Sequence, residues 1–241
     1  MTVGRVVLAH GFTQTARSWA AVADALRARL DGVTIAAPDL PGHGSSADVR
    51  CDLRGAADLL VARGDRAAYV GYSMGGRVAL HAALAHPDAV ERLVLIGATA
   101  GIEDPDERDA RRRADQDLAD RIVRSSIAAF VDEWLESPLF DGLVEGSASR
   151  DDRLTNTTRG LASSLRLCGT GTQDPLWDRL GEIRCPTLVL AGERDDKFRA
   201  LGERLAAGIA DARMAVIEGS GHSVHLEQPQ ATVDALADFL S

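Results

Sequence analysis

Hydrophobic residues along the chain alternate between short continuous runs and longer segments with helical spacing. The runs are only five or six residues long, are rich in Val, Ile and Leu, and are bounded by Gly, Pro or Asp. Such runs are typical of parallel strands that are buried on both faces of a sheet. They predict six strands, at residues 5–9, 33–37, 67–71, 92–97, 187–191 and 212–217.

Helical patterns separate these predicted strands. The predicted helices cover residues 18–30, 53–63, 74–86, 197–209 and 230–240. In the first of them, one face repeats apolar residues at helical spacing, namely Trp19, Val22, Ala23, Leu26 and Leu30. Strands that alternate with helices predict an α/β fold with a parallel sheet.

About 90 residues interrupt this alternation between the fourth and fifth predicted strands. Residues 103–136 have a charged helical pattern, and residues 159–167 predict a further helix. The apolar stripe of the first segment consists of Ile122, Val123, Ile127, Phe130, Val131, Trp134 and Leu135. A structureless loop of this length is rare inside a domain. We therefore expect a helical cap at residues 101–175, inserted into a core formed by residues 1–100 and 176–241.

Composition and charge narrow the functional classes. The net charge of −9 provides no basic surface for nucleic acid or for an anionic membrane, and no apolar run is long enough to span a membrane. The three cysteines are far apart and form no metal-binding pattern, so we expect free thiols and no metal. The N-terminal segment lacks the features of a signal peptide, and we expect a cytoplasmic protein.

The sharpest motif is the G-x-S-x-G sequence at residues 71–75, which lies between a predicted strand and a predicted helix. A serine in this position occupies a tight, strained turn, and small residues on both sides let the chain pack closely. The turn raises Ser73 above the carboxyl edge of the sheet, where open α/β sheets bind ligands. Ser73 is therefore the candidate nucleophile or base.

A serine in such a turn needs an acid and a histidine, which follow it in that order along the chain. Asp195 comes after the fifth predicted strand in the sequence GERD, and its neighbour Asp196 is the alternative acid. His222 lies in a loop after the last strand, and we expect a structural role for its rival, His225. The remaining candidates lack this placement: His43, His81 and His86.

A third element directly follows the first predicted strand. Gly11 allows the backbone N–H of Phe12 to turn toward Ser73, and the N–H of Met74 begins the next helix. Together these two amides predict an oxyanion hole. We expect His10 to hold this loop in place and the turn at residues 39–44 to shape the floor of the site.

The sequences HGF, DLPGHG, GYSMGG, GERD and GSGH occur in the order found in the α/β-hydrolase superfamily, and the resemblance covers essentially the whole chain. A narrower resemblance rests on GTGTQ-PLW, GERD-KF and GYSMGGR. These segments resemble the 2-succinyl-6-hydroxy-2,4-cyclohexadiene-1-carboxylate synthases of menaquinone biosynthesis. With only nine residues before His10, the usual N-terminal antiparallel hairpin of the superfamily is expected to be missing.

The narrower resemblance implies an elimination rather than a hydrolysis. The family's substrate is a cyclohexene ring with a succinyl ketone, a carboxylate and an enolpyruvyl ether. Loss of a proton next to the ketone expels pyruvate and leaves a conjugated diene. The resemblance implies that Ser73, polarised by His222 and Asp195, is the base. It also implies that no cofactor takes part.

A substrate with three carboxylates requires cations, and arginine binds carboxylates with a planar pair of donors. Arg77 lies one helical turn after Ser73. The resemblance places two further substrate-binding arginines in the cap, which correspond to Arg111 and Arg153. Solvated surface charge is the alternative for each of them. The sequence does not indicate an oligomeric state.

Two other functions remain open at this point. A serine hydrolase, either an esterase or a carbon–carbon bond hydrolase, would use the same three residues and form an acyl-enzyme or activate water. A receptor or scaffold that kept the fold is the non-enzymatic alternative. Because one fold serves many activities, the choice depends on the cap and its arginines.

Overall fold

A six-stranded sheet forms the centre of the described part of the chain. The computed structural model describes residues 3–143 and 149–241, so residues 144–148 of the predicted cap lie outside the described residues. The strands are β1 (Arg5–Ala9), β2 (Thr34–Ala36), β3 (Ala67–Tyr72), β4 (Val90–Ile96), β5 (Thr187–Gly192) and β6 (Ala212–Ile217). Their order is β2-β1-β3-β4-β5-β6, and every pairing is parallel. The predicted α/β fold is confirmed, and the described sheet contains no antiparallel strand.

Helices cover both faces of the sheet. The helices are α1 (Ala20–Arg29), α2 (Leu53–Gly64), α3 (Met74–Ala85), α4 (Pro105–Arg124), α5 (Ile127–Leu135), α6 (Ser149–Arg153), α7 (Thr158–Cys168), α8 (Asp196–Gly208), α9 (Val224–Glu227) and α10 (Pro229–Leu240). One apolar layer joins α2, α3 and α8 to the sheet, and another joins α1 and α10 to its opposite face. None of the described helices has the length and apolar character needed to cross a membrane.

The predicted apolar face of the first helix is buried along its whole length, from Trp19 to Leu30. The helix itself begins later than predicted, because residues Ala16–Trp19 form a 3₁₀ turn before α1. The hydroxyl of Thr15 caps this turn by accepting a hydrogen bond from the N–H of Arg17. Strand β2 is shorter than predicted, and β4 begins two residues earlier than predicted.

Helices α4 to α7 occupy the segment between β4 and β5 and have a small apolar core of their own. The single helical pattern predicted at 103–136 is two helices, because the chain breaks at Ser125 and Ser126. Ser126 starts α5 by accepting a hydrogen bond from the N–H of Ala129. The expected position of Val123 in the apolar stripe was wrong, since this side chain is 46% exposed near the end of α4.

Candidate active site

Ser73 lies at the turn between β3 and α3, with the positive φ of 52° that such a turn imposes. The turn is possible because neighbouring glycines leave room for the backbone. A Cβ on Gly71 would collide with the backbone of Gly75, and a Cβ on Gly75 would collide with the backbone of Ala9. The N–H of Ser73 donates to the carbonyl of Ile96 at 2.8 Å, which anchors the strained residue to β4.

Three side chains from different parts of the chain meet at this turn. Nε2 of His222 lies 3.2 Å from Oγ of Ser73. Nδ1 of His222 lies 2.7 Å from Oδ2 of Asp195. Each of the three follows the carboxyl end of a strand: Ser73 follows β3, Asp195 follows β5 and His222 follows β6. They therefore lie at the same edge of the parallel sheet. The carboxylate fixes the imidazole with its Nδ1 protonated, so that Nε2 is free to accept a proton from the serine.

The structure places Asp195, and not Asp196, against the histidine. Asp195 is buried, and its second oxygen accepts a hydrogen bond from the N–H of Phe198 at the start of α8. The carboxylate of Asp196 is 94% exposed and pairs with Arg199 on the surface. The alternative acid therefore lies outside the site.

The loop that carries His222 is held by a buried carboxylate. The Glu227 side chain is only 1% exposed. Its two oxygens accept hydrogen bonds from the N–H of Gly221 at 2.7 Å and from the N–H of Ser223 at 2.9 Å. Because these amides flank His222 on both sides, Glu227 fixes the backbone from which the imidazole extends.

The backbone N–H groups of Phe12 and Met74 are the two donors predicted to form an oxyanion hole. Both residues line the cavity beside Ser73. Neither N–H has a hydrogen-bond partner within the described part of the chain. Gly11 permits the turn, because a Cβ there would lie 2.6 Å from the ring of Tyr72. Two unpaired donors at a buried site can stabilise a developing negative charge on oxygen.

Two buried histidines hold the loop that carries Phe12. His10 accepts a hydrogen bond from the N–H of Leu40 at 2.9 Å, and His43 accepts one from the N–H of Thr13 at 3.2 Å. Burial lowers the pKa of His43 to about 3, which keeps the ring neutral and able to accept. The expected loop-holding role of His10 matches its contacts.

A cavity of about 350 Å³ opens in front of the Ser73 hydroxyl. Its floor comes from the sheet edge and includes Ser73 and His222, and its opposite wall comes from the helices between β4 and β5. The wall residues include Arg111, Asp115, Leu118, Trp134, Ser164 and Cys168. Burial raises the pKa of the Cys168 thiol to about 12, so this cysteine stays protonated and is a poor nucleophile.

Two of the three predicted arginines line this cavity. Arg77 is buried, and its Nη1 donates to Oε1 of Gln173 at 3.4 Å. Burial lowers the pKa of Arg77 to about 10, which still leaves it charged at neutral pH. Arg111 is 42% exposed, and its Nε donates to Oδ1 of Asp115 at 2.7 Å.

Arg153 lies behind the Phe12 loop and is not among the residues that line the cavity. It is 1% exposed, and it donates to the carbonyl of Phe12 at 3.4 Å and to the hydroxyl of Thr13. Its Cζ lies 5.2 Å from the centre of the Phe140 ring. These contacts tie α6 to the loop that carries Phe12.

Sequence reasoning assigned no role to two residues that the structure places at the cavity. Phe198 lies with its ring centre 4.4 Å from that of His222. Lys197 is the only lysine in the chain, and it lines the cavity while remaining exposed. Both belong to the GERD-KF segment, so the resemblance of that segment to the synthase family was the signal that could have pointed to them.

His225, expected to be structural, is fully enclosed. Its ring stacks on Trp19 with centres 4.4 Å apart and lies 4.5 Å from the ring of Tyr72. Neither ring nitrogen has a hydrogen-bond partner in residues 3–143 and 149–241. Burial lowers the pKa of His225 to about 3. The ring therefore packs as a neutral aromatic group and takes up no proton at neutral pH.

Comparisons with known proteins agree with this architecture. The alpha/beta hydrolase family model matches residues 6–235. A Citrobacter koseri protein named 2-succinyl-6-hydroxy-2,4-cyclohexadiene-1-carboxylate synthase is 34% identical and is aligned over 98% of this chain and 93% of its own length. The Bacillus subtilis (strain 168) protein that provisionally has the same name is also 34% identical, over 98% of this chain and 90% of its own. The structure of MenH from S. aureus superposes with a TM-score of 0.90 at 31% identity, over 98% of this chain and 92% of that one. The chain therefore belongs to the alpha/beta hydrolase family, and it is related over nearly its whole length to proteins named as synthases of this cyclohexadiene carboxylate.

Proposed function

We propose that the protein is a carbon–oxygen lyase that releases pyruvate from 2-succinyl-5-enolpyruvyl-6-hydroxy-3-cyclohexene-1-carboxylate. The product is 2-succinyl-6-hydroxy-2,4-cyclohexadiene-1-carboxylate, the compound in the names of its relatives. The helices of residues 101–175 act as a cap over the core, and the reaction takes place in the cytoplasm as a step of menaquinone biosynthesis.

Ser73 removes the proton from the ring carbon next to the succinyl ketone. As its oxygen takes this proton, its own hydroxyl proton passes to Nε2 of His222, 3.2 Å away. The imidazolium that forms is stabilised by Asp195 through the 2.7 Å contact with Nδ1. No acyl-enzyme is required, because the serine acts as a base and forms no bond to carbon.

The electron pair from the broken carbon–hydrogen bond first develops as an enolate on the ketone oxygen. The amides of Phe12 and Met74 donate to this oxygen and lower the energy of the intermediate. As the enolate collapses, the ring double bond shifts and the carbon–oxygen bond to the enolpyruvyl group breaks. The departing enolpyruvate takes up the proton that the His222 imidazolium gives back and becomes pyruvate, and the ring is left with two conjugated double bonds.

The observation that carries this proposal is a buried arginine with no carboxylate partner beside a serine triad. Arg77 forms no ion pair with any of the residues the structure describes, yet it lines the cavity. A buried charge without a partner is costly, so a site that contains one is suited to an anionic ligand. Arg111 and Lys197 add positive charge to the same cavity, while Arg153 is proposed to act on the substrate through the Phe12 loop.

The test is release of pyruvate from the enolpyruvyl substrate, followed with lactate dehydrogenase. The Ser73→Ala variant is the control, because the substrate also eliminates slowly without an enzyme. Release that is fast with the wild type and falls to the spontaneous rate with Ser73→Ala is expected. Equal rates with both proteins would contradict the proposal and would favour a serine hydrolase, to be sought with a panel of esters.

A further inference from the structure

The GTGTQ turn at residues 169–173 is the sequence feature that the proposed mechanism leaves unused. It packs closely against α4, next to Arg111 and Asp115, which line the cavity. A Cβ on Gly171 would collide with the backbone of Arg112, and a Cβ on Gly169 would collide with the carbonyl of Leu165. The glycines of the turn therefore allow a contact that no larger residue would permit.

This turn contacts the two cavity arginines in chemically different ways. The N–H of Gly171 donates at 3.2 Å to Asp115, whose carboxylate also binds Arg111 at 2.7 Å. Arg111 is therefore paired with a negative charge. The last residue of the turn, Gln173, instead offers a neutral carbonyl oxygen to Arg77.

Gln173 is 2% exposed, and its Nε2 has no hydrogen-bond partner among the residues that the structure describes. A glutamate has nearly the same shape, and its second oxygen would replace a nitrogen that makes no hydrogen bond. Changing glutamine to glutamate here therefore breaks no described hydrogen bond and adds one negative charge beside Arg77. An ion pair at this distance in a buried site is strong, and it would compete with any carboxylate of a ligand.

We propose that Gln173 determines the specificity of the cavity for polycarboxylates, because its neutral amide leaves the charge of Arg77 available to the ligand. This inference rests on the proposed function for the identity of the substrate. The competition between a charge at position 173 and the ligand for Arg77 applies to any carboxylate that enters the cavity. Gln173 acts through Arg77 and is a positioning residue, and it has no part in the proton transfer.

The experiment compares Gln173→Glu with Gln116→Glu, which adds the same charge at an exposed position on α4. Calorimetry measures binding of trimesate (benzene-1,3,5-tricarboxylate), and the pyruvate assay measures KM and kcat. We expect Gln173→Glu to raise the trimesate Kd and the KM by at least about tenfold, with a much smaller change in kcat. The thermal midpoint should stay the same or rise, because Arg77 gains an ion pair. Gln116→Glu should leave the trimesate Kd, the KM and the kcat close to the wild type, although it loses the hydrogen bond from Gln116 to Asp120 on the surface.

Gln173→Met provides a second, uncharged variant. It should keep the trimesate Kd within about threefold of the wild type, because Arg77 remains free to bind a carboxylate. A Met variant that binds as weakly as expected for the Glu variant, or a Glu variant that binds like the wild type, would overturn the inference. If the wild type binds trimesate but releases no pyruvate, the proposed function fails. The ranking of the two variants then still tests the role of Gln173.

Discussion

Replacing Arg77 with methionine should lower activity and raise stability at the same time. Methionine keeps much of the length of the arginine side chain and fills the same buried position without a charge. The opposite directions of the two effects distinguish a ligand-binding arginine from one that holds the fold together. If Arg77 were a structural residue, its replacement would lower both the activity and the stability of the protein.

The magnitude of the stability change follows from the burial of the guanidinium. Burial lowers the pKa of Arg77 from 12.5 to about 10, which means that the folded protein disfavours the charged form by about 3 kcal/mol. The methionine variant is free of this cost at neutral pH but loses the contact with Gln173, which contributes about 1 kcal/mol. The free energy of unfolding should therefore rise by about 1–2 kcal/mol, and the thermal midpoint by a few degrees.

The loss of activity comes from the missing bond to a substrate carboxylate. A hydrogen bond to a charged group contributes roughly 1.5–3 kcal/mol, so kcat/KM for pyruvate release should fall by about 10- to 150-fold. Thermal unfolding and steady-state kinetics on the same preparation measure the two effects. A variant with wild-type kinetics, or one with a lower thermal midpoint, would refute the view that Arg77 is a buried cation kept for the ligand.

Four other substitutions probe the site and its surroundings. Ser73→Ala should reduce pyruvate release by about 10²- to 10⁴-fold while the circular dichroism spectrum stays unchanged. Asp195→Asn should lower kcat by about 10³-fold or more, whereas Asp196→Asn, on the surface, should have almost no effect, and the reverse order would show that the acid is misassigned. Burial lowers the pKa of His225 from 6.5 to about 3 in the folded protein. Below pH 6.5 the unfolded chain therefore binds a proton at His225 that the folded protein does not bind, and the free energy of unfolding falls as the pH drops from 6.5 toward 3. In urea titrations, His225→Phe should flatten this fall between pH 6 and 4 by up to about 1.4 kcal/mol per pH unit, and an unchanged slope would contradict the assignment.

Local pattern was sufficient for the elements that surround the candidate site. The apolar runs predicted the strands because a strand buried on both faces needs continuous apolar sequence. The G-x-S-x-G motif fixed the position of Ser73 because only a tight turn between β3 and α3 requires small residues on both sides. The chain order of acid and histidine then led to Asp195 and His222, which the structure brings together.

Contacts between distant segments could not be predicted in this way. Gln173 meets Arg77 across 96 positions of sequence, and no periodicity records such a contact. The family resemblance placed Arg153 among the substrate-binding residues, but its side chain turns to the Phe12 loop, where α6 also binds Thr15 through Asp152. Val123 was misplaced because the break at Ser125 ends the helix just after it.

The most direct test of the central claim is to measure pyruvate and the conjugated diene together during a single reaction. The diene absorbs in the ultraviolet and the cyclohexene substrate has no such chromophore, so both products can be followed against the spontaneous rate. We expect one diene for each pyruvate, at a rate that requires Ser73. Consumption of substrate without the diene, or a rate that Ser73→Ala retains, would contradict elimination by this site.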